Sequence, residues 1–471
     1  MTGSLIPVSG PSNAHPPLVM AYLALVWKLF GFAVIFTRIA MLGLAAFSLA
    51  GLFRLAEKLA NREVAVAAVI ATAVYPVFFA QSSLAQVDLA AAGLCFWGLA
   101  AYFEERLWAT AVWFSLAVLA KETAILVPLA LLAWELIERA RGRKTRLSPA
   151  QLIPFLTLAT WYAFHYLKTG FIFGNPEFFR YNVSGTLDPL RIVLALGLRL
   201  RQLFLYMNLG WLTLAALLAL FFPPQRERAG IDPNIRHALY AVIAVYTVAM
   251  AVVGGAVLAR YMLPVVPLVI VLSIAELWRR MRVWVLVLAA VVAAFAAALF
   301  INPSYGFSFE DNFAYRDYIV LHQSAEEYIA AQYPQKRVLT AWPASEELTQ
   351  PFLGYVSQPV RVLRIDDFTI EQLMSAAELR DFDVALIFST KYDVGHHWFE
   401  RWPRFAKKWL EWKTRFFGFH RDVPAPLAAQ LLGGRIVYSE VRNGQWIAVI
   451  EMSEVHEARI IVPSTLLAEG R

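Results

Sequence analysis

In the stretch "LAVLAKETAILVPLALL" (116–132), Lys121 and Glu122 stand side by side inside an otherwise apolar run. Three further places break the apolar pattern in a similar way. "SSLAQVDLAAAG" puts Asp88 at the head of an apolar segment, and "GGAVLARYMLPVVPL" puts Arg260 and Tyr261 just before a proline-rich one. "SNAHPPLVMAYLALVWKLFG" opens on Asn13 and His15, with Pro16 and Pro17 suited to a helix start. These residue types can grip and process an anion. Arginine reaches phosphate oxygens as a bidentate fork and lysine as a point charge. A neighbouring carboxylate can take a proton from an attacking hydroxyl or bind a divalent cation. Each residue also has a plain structural reading. Lys121 and Glu122 could snorkel to a membrane interface, and Asp88 could cap the helix that begins beside it.

Composition fixes the solvent around these residues. The chain has 471 residues, 59% hydrophobic and 16% charged, against roughly 45–50% apolar and about 25% charged in soluble domains. The surplus is uneven. Apolar runs dominate 16–301, and from Asn302 onward the chain reads as ordinary soluble protein, with the break at "FINPSYG". The expectation is a polytopic α-helical membrane bundle over 1–301 and a soluble α/β domain over 302–471. The net charge of +7 is explained by basic loops that fix orientation, so no nucleic acid is implied. Cys95 is the single cysteine, which excludes a disulfide framework and a metal–thiolate centre.

Apolar segments fall at 32–53, 64–82, 89–103, 107–138, 151–167, 203–222, 237–256, 262–277 and 283–301. The segment 107–138 would be about 48 Å long as one helix, well beyond the ~30 Å hydrocarbon core. If the chain instead turns back at Lys121–Glu122, four basic loops share one side: Arg54/Lys58/Arg62, "ERARGRKTR", "QRER" with Arg236, and "RRMR". The positive-inside bias therefore favours a hairpin, giving about ten membrane segments. Both Ala14 and the C-terminal domain then lie outside the cytoplasm.

With that topology Asp88, Lys121, Glu122, Arg260, Tyr261 and His15 all reach the outer membrane face, although they come from distant parts of the chain. One outer loop also carries Lys168, Arg180, Arg191, Arg199 and Arg201, against the charge rule. Its "LDPLRIVLALGLRLRQLF" has Asp188-Pro189 as cap and first turn, then an amphipathic pattern suited to a helix in the interface plane. These cations could meet anionic head groups or form a pocket for a phosphorylated lipid. The whole set fits a reaction on an anionic, lipid-linked substrate. Asp88 and Glu122 are the candidate catalytic carboxylates. Lys121, Arg260, Tyr261, Arg199 and Arg201 are candidates for holding phosphate, and His15 and Arg180 for contacting substrate.

"HPPLVMAYLALVWKLFG", "TRIAMLGLAAFSLAGLFRLAEKLANREVAVAAVIATAVYPVFFAQSSLAQVD", "LAVLAKET" and "LARYMLPVVPL" resemble the polytopic glycosyltransferases of the GT-C fold. The likeness is to the protein O-mannosyltransferase-like and aminoarabinose-transferase-like members of glycosyltransferase family 39 type. It runs from Asn13 to Ile301 and is best in its first third. It implies inverting transfer of a sugar from a polyprenyl-phosphate donor, at the outer face of the cell inner membrane, to a lipid, glycan or protein acceptor. By position Asp88 matches an acidic residue after the family's third span, Lys121 a lysine in a short outward turn, and Arg260-Tyr261 a basic–aromatic pair. The family's first outer loop follows an initial transmembrane helix and carries an acid assigned as base, whereas 1–14 holds neither Asp nor Glu. The expectation is that this helix and acid belong upstream of Met1.

The C-terminal region alternates strand and helix: "RVLTAW", "SEELTQPFLGYV", "VRVLRI", "TIEQLMSAAELRDF" and "DVALIFS". That order predicts a parallel sheet, and Asn443-Gly444 predicts a hairpin adding an antiparallel edge. Asp366-Asp367 end a strand, where they could bind a ligand or cap the next helix. His396-His397 are adjacent, a poor spacing for two ligands on one helix. A transporter or flippase of polyprenyl-linked glycans, and a non-catalytic lipid-binding relative, are the rival readings. Against the transporter, the polar residues collect at the outer mouth rather than near the midplane, and no internal repeat is evident. The partners expected are the lipid-phosphate donor, membrane lipids and an acceptor of open identity. A divalent metal ion is the one cofactor left open.

Overall fold

The computed structural model describes residues 4–6, 15–143, 145, 147–305, 309–392 and 401–452. Asn13 and His396-His397 lie outside these. The chain divides into two compact units, Met1–Ile301 and Asn302–Arg471.

The first unit is helical: α1 (Leu18–Phe30), α2 (Val34–Leu59), α3 (Arg62–Val74), α4 (Pro76–Gln81), α5 (Asp88–Phe103), α6 (Leu107–Ala120), α7 (Leu126–Ala140), α8 (Ile153–Thr169), α9 (Pro176–Asn182), α10 (Pro189–Phe204), α11 (Leu209–Ala219), α12 (Pro233–Val252), α13 (Val266–Arg280) and α14 (Trp284–Ala298). The helix α5 is its centre. It is buried along almost its whole length and packs against α2 and α6. Small residues permit that approach: a Cβ on Gly93 would lie 2.9 Å from the Ser48 backbone Cα on α2. Large apolar side chains instead cover the outside, among them Trp108, Leu167, Phe221 and Leu286, each more than 70% exposed. An outer face of this kind suits hydrocarbon rather than water.

By length and composition, α2 and α12 are long and apolar enough to cross a membrane, as is the run Pro189–Ala219. That last run is not one rod. Met207 (φ 50°) and Asn208 (φ 65°) take left-handed conformations and separate α10 from α11. The expected segment 64–82 is likewise split, because Pro76 cannot continue α3 and starts α4.

The expected reversal in 107–138 is present. Lys121 has extended backbone (φ −154°, ψ 131°), and a single 3₁₀ turn, Glu122–Ile125, leads into α7. Two contacts give the direction. Lys121 meets Asp88 at the start of α5, whereas Glu135 near the end of α7 accepts from Tyr102 near the end of α5. The helices α6 and α7 therefore run in opposite senses. They splay apart, α6 packing on α5 and α8 and α7 packing on α12.

In the second unit the elements are α15 (Ala314–Gln332), β1 (Arg337–Thr340), α16 (Ala344–Thr349), β2 (Arg361–Arg364), α17 (Ile370–Leu379), β3 (Val384–Phe388), α18 (Pro403–Phe417), α19 (Ala425–Leu432), β4 (Gly434–Arg442) and β5 (Gln445–Met452). The sheet order is β2-β1-β3-β5-β4, with β1 parallel to β2 and β3. The strand β3, "VALIF", is buried at every position, as a strand covered on both faces must be. Asn443 and Gly444, both at positive φ, close the β4–β5 hairpin. The helix expected over "SEELTQPFLGYV" stops at Thr349, because Pro351 opens a separate 3₁₀ turn.

Candidate functional site

Chain segments far apart in sequence meet at the start of α5. Asp88 is the first residue of that helix and only 3% exposed. Val87 is the N-cap residue, and Asp88 stands in the first turn, where a carboxylate complements the helix dipole as the structural reading expected; its side chain also has ionic partners. Lys121 Nζ lies 2.5 Å from Asp88 Oδ1, and Arg260 Nε lies 3.3 Å from Oδ2. The snorkelling reading of Lys121 fails: its side chain is 5% exposed and points inward.

The cations share a second feature. Lys121 Nζ stands 3.9 Å from the centroid of the Tyr261 ring, and the Arg260 guanidinium carbon 5.5 Å from it. Tyr261 is held from behind by Tyr246 on α12, whose hydroxyl donates to the Tyr261 carbonyl at 3.0 Å. Sequence reading missed Tyr246; the available signal was a tyrosine in an apolar helix, whose hydroxyl needs a partner. Beside this group His15 Nδ1 and Glu122 Oε2 are 2.9 Å apart, each side chain about one-fifth exposed.

The helix α10 begins as expected, with Asp188 Oδ1 accepting from the amides of Leu190 and Arg191 at 2.9 and 3.2 Å. Its cations do not all lie toward lipid head groups. Arg191 and Arg199, at 2% and 0% exposure, face inward. Arg191 donates to the carbonyls of Ala251 (3.3 Å), Gly254 and Gly255 (3.4 Å). Arg199 donates to those of Met250 (3.1 Å) and Leu258 (2.8 Å). They satisfy the carboxyl end of α12 and the loop after it, where helix carbonyls lack partners and the dipole favours cations. Arg199 also lies 5.7 Å from the Tyr261 ring. The Arg199 guanidinium, expected to hold phosphate, is enclosed and bonded to the loop that leads to Arg260 and Tyr261, with its Nη2 buried and without a hydrogen-bond partner among the described residues. Arg201 and Arg180 are exposed, and Arg201 packs on Tyr206 rather than joining the group. A cavity of about 450 Å³ in this unit is lined by Arg54, Glu57, Lys58, Glu104 and Arg106. It lies at the other end of α5, away from Asp88.

In the second unit Asp367 Oδ1 accepts from the Thr369 amide at 3.0 Å, so its turn-forming role ahead of α17 is seen. Nearby, Asp422 accepts from the amides of Thr390 (2.7 Å) and Lys391 (3.1 Å). Lys391 Nζ reaches His420 Nε2 at 2.8 Å. Burial holds the Lys391 amine below the usual lysine range, with the Asp422 charge opposing it.

A helical unit followed by a small α/β unit is an architecture that known proteins share. Residues 14–166 match the family model for dolichyl-phosphate-mannose-protein mannosyltransferase. The fold matches that of ArnT from Cupriavidus metallidurans bound to undecaprenyl phosphate, at 13% identity and a TM-score of 0.51, over 93% of this chain and 88% of that one. ArnT from the same organism in the apo state aligns with a TM-score of 0.47, at 13% identity, over 92% and 87% of the two chains. No curated protein matches the chain in a sequence search. The resemblance to the GT-C membrane glycosyltransferases of family 39 type, read from the sequence, thus stands.

Proposed function

We propose that the chain transfers a sugar from a polyprenyl-phosphate donor to an acceptor at the outer face of the inner membrane. The observation that carries this is the convergence of a lysine and an arginine at the start of α5. Two cations, Lys121 and Arg260, converge on one carboxylate, Asp88, and both lie against the Tyr261 ring. Ionisable groups at such depth mark substrate paths, and an arginine fork beside a lysine point charge is a pair that takes phosphate oxygens. The undecaprenyl phosphate bound by the ArnT structure supports the same ligand class for this chain.

In this reading the helical unit contributes about ten membrane segments, some short or broken, and 302–471 forms a soluble domain outside the cytoplasm. Lys121 and Arg260 hold the donor phosphate, and Tyr261 flanks it. Asp88 keeps both cations in place between turnovers. Glu122, paired with His15 and partly open to solvent, takes the proton of the attacking acceptor group. The bond from the sugar's anomeric carbon to the phosphate oxygen breaks as the bond to the acceptor forms. Polyprenyl phosphate leaves with the bonding electron pair, and a single displacement inverts the anomeric centre.

The test is transfer by the full chain in liposomes, using a panel of radiolabelled polyprenyl-phosphate sugars. Lys121→Ala and Arg260→Ala should each lower turnover more than tenfold while binding of undecaprenyl phosphate weakens. Full transfer in both variants, at normal yield of folded protein, would overturn the assignment.

A further inference from the structure

Away from the ion cluster, the second unit contains a group of side chains that the proposed function does not use. His322 and Glu326 are one helical turn apart on α15, and Glu347 faces them from α16. One ligand-type atom from each lies within 4.8 Å of the others. His322 Nδ1 is 2.7 Å from Glu347 Oε2 and 3.6 Å from Glu326 Oε1. The three are 1%, 0% and 7% exposed, and they sit among Leu321, Ala325, Leu348 and Phe388 of the hydrophobic core.

A core of this kind normally excludes carboxylates unless each oxygen has a donor. Glu347 has one, from His322. Glu326 does not: both its carboxylate oxygens are buried and make no hydrogen bond. Both carboxylates face the same ring nitrogen, His322 Nδ1, whose single proton is taken by Glu347, and Glu326 lies 3.6 Å from it.

We propose that His322, Glu326 and Glu347 form a three-ligand site for a zinc-like divalent cation. The donor set, one imidazole nitrogen and two carboxylates, is one that such ions accept, whereas magnesium and calcium take six or more oxygens. A tetrahedral ion with bonds of 2.0–2.2 Å sets its ligand atoms about 3.3–3.6 Å apart. His322 Nδ1 stands 2.7 and 3.6 Å from the two carboxylates, and all three ligand atoms lie within 4.8 Å of one another, so side-chain rotation of the two glutamates would be needed to reach that spacing. The imidazole is already oriented by stacking between Tyr318 and Phe388, with centroids at 4.2 and 4.4 Å. The edge at Glu347, with a side-chain exposure of 10%, is the approach for the ion. Binding would tie α15 to α16 and stiffen the segment leading into β2.

The test uses tag-free full-length protein in detergent, stripped with a chelator, equilibrated with micromolar free Zn²⁺ and desalted. Elemental mass spectrometry should find about one zinc per wild-type chain and less than a fifth of that in Glu326→Gln and His322→Ala. His15→Ala, whose partner Glu122 belongs to the first unit, should keep its zinc. Because His322→Ala could unfold, the near-isosteric Glu326→Gln carries the second readout: zinc should raise the wild-type thermal transition and leave that of Glu326→Gln unmoved. A folded wild type that retains no zinc, or Glu326→Gln retaining as much, would overturn the site and leave a proton-filled cluster. Neither result bears on sugar transfer, so the two proposals fail separately.

Discussion

Replacing Asp88 by asparagine tests the cluster most directly. The carboxylate is 3% exposed, with Lys121 at 2.5 Å and Arg260 at 3.3 Å. At an effective dielectric constant of about 20, charges at those separations attract by roughly 7 and 5 kcal/mol. Desolvation of the three ions and repulsion between the cations cancel much of that. The net loss expected on removing the carboxylate from its ion pair with buried Lys121 is about 3–5 kcal/mol. Asp88→Asn should therefore unfold at clearly lower temperature in a fluorescence-monitored melt. The double variant with Lys121→Met should recover at least about 1 kcal/mol of the summed losses, because the pair is in contact. The anion dependence carries the functional content. With the carboxylate gone, undecaprenyl phosphate supplies the missing negative charge, so it should raise the melting temperature of Asp88→Asn more than that of wild type. Equal shifts in the two proteins, or a variant as stable as wild type without lipid, would refute the reasoning.

Three other outcomes follow from particular contacts. Glu122→Gln keeps the shape of the pair with His15 but removes the proton acceptor, so turnover should fall by about a hundredfold or more, with donor affinity within about twofold in a lipid-phosphate binding assay. Gly93→Ala would bring a Cβ to 2.9 Å from the Ser48 Cα, a backbone atom that no rotamer change can move. Prising α2 from α5 should cost about 1–3 kcal/mol, read as a lower melting temperature. Asp383 accepts from the Arg337 amide at 2.9 Å and from Lys336 at 3.2 Å, and that amide bond is the main cause holding its carboxyl below the usual aspartate range. Its stabilisation is thus present above about pH 4 and lost as pH falls through the lower folded value. Asp383→Asn should cost the sheet about 1 kcal/mol at neutral pH, little for a half-exposed group, and should flatten the acid limb of the unfolding profile.

Several parts of this protein were legible in the linear chain because they depend on local rules. Apolar surplus and the break at Asn302 separate the helical and α/β units. Asp188-Pro189 starts a helix because a side-chain oxygen and a fixed φ need only the next few residues. Asn443-Gly444 closes a hairpin because that turn requires positive φ. The reversal at Lys121 was legible from charge bias, since a helix through it would have been too long for the membrane.

Other features depend on what packs against what, and those only the tertiary structure decided. Asp88 is a caps-type residue at a helix start in sequence. Only the return of α6 to its side and the approach of the Ala259–Met262 turn make it the counter-ion of two cations. Arg191, Arg199 and Arg201 are the same residue type on one helix. A rotation of 100° per residue sends the first two into the carbonyls at the end of α12 and the third to the surface. His322 and Glu326 show their helical spacing in sequence, but Glu347 joins them only because α16 packs back onto α15. Periodicity tells which face of an element is apolar, whereas the charge that a buried group will meet is fixed by the neighbouring element, which the linear order does not name.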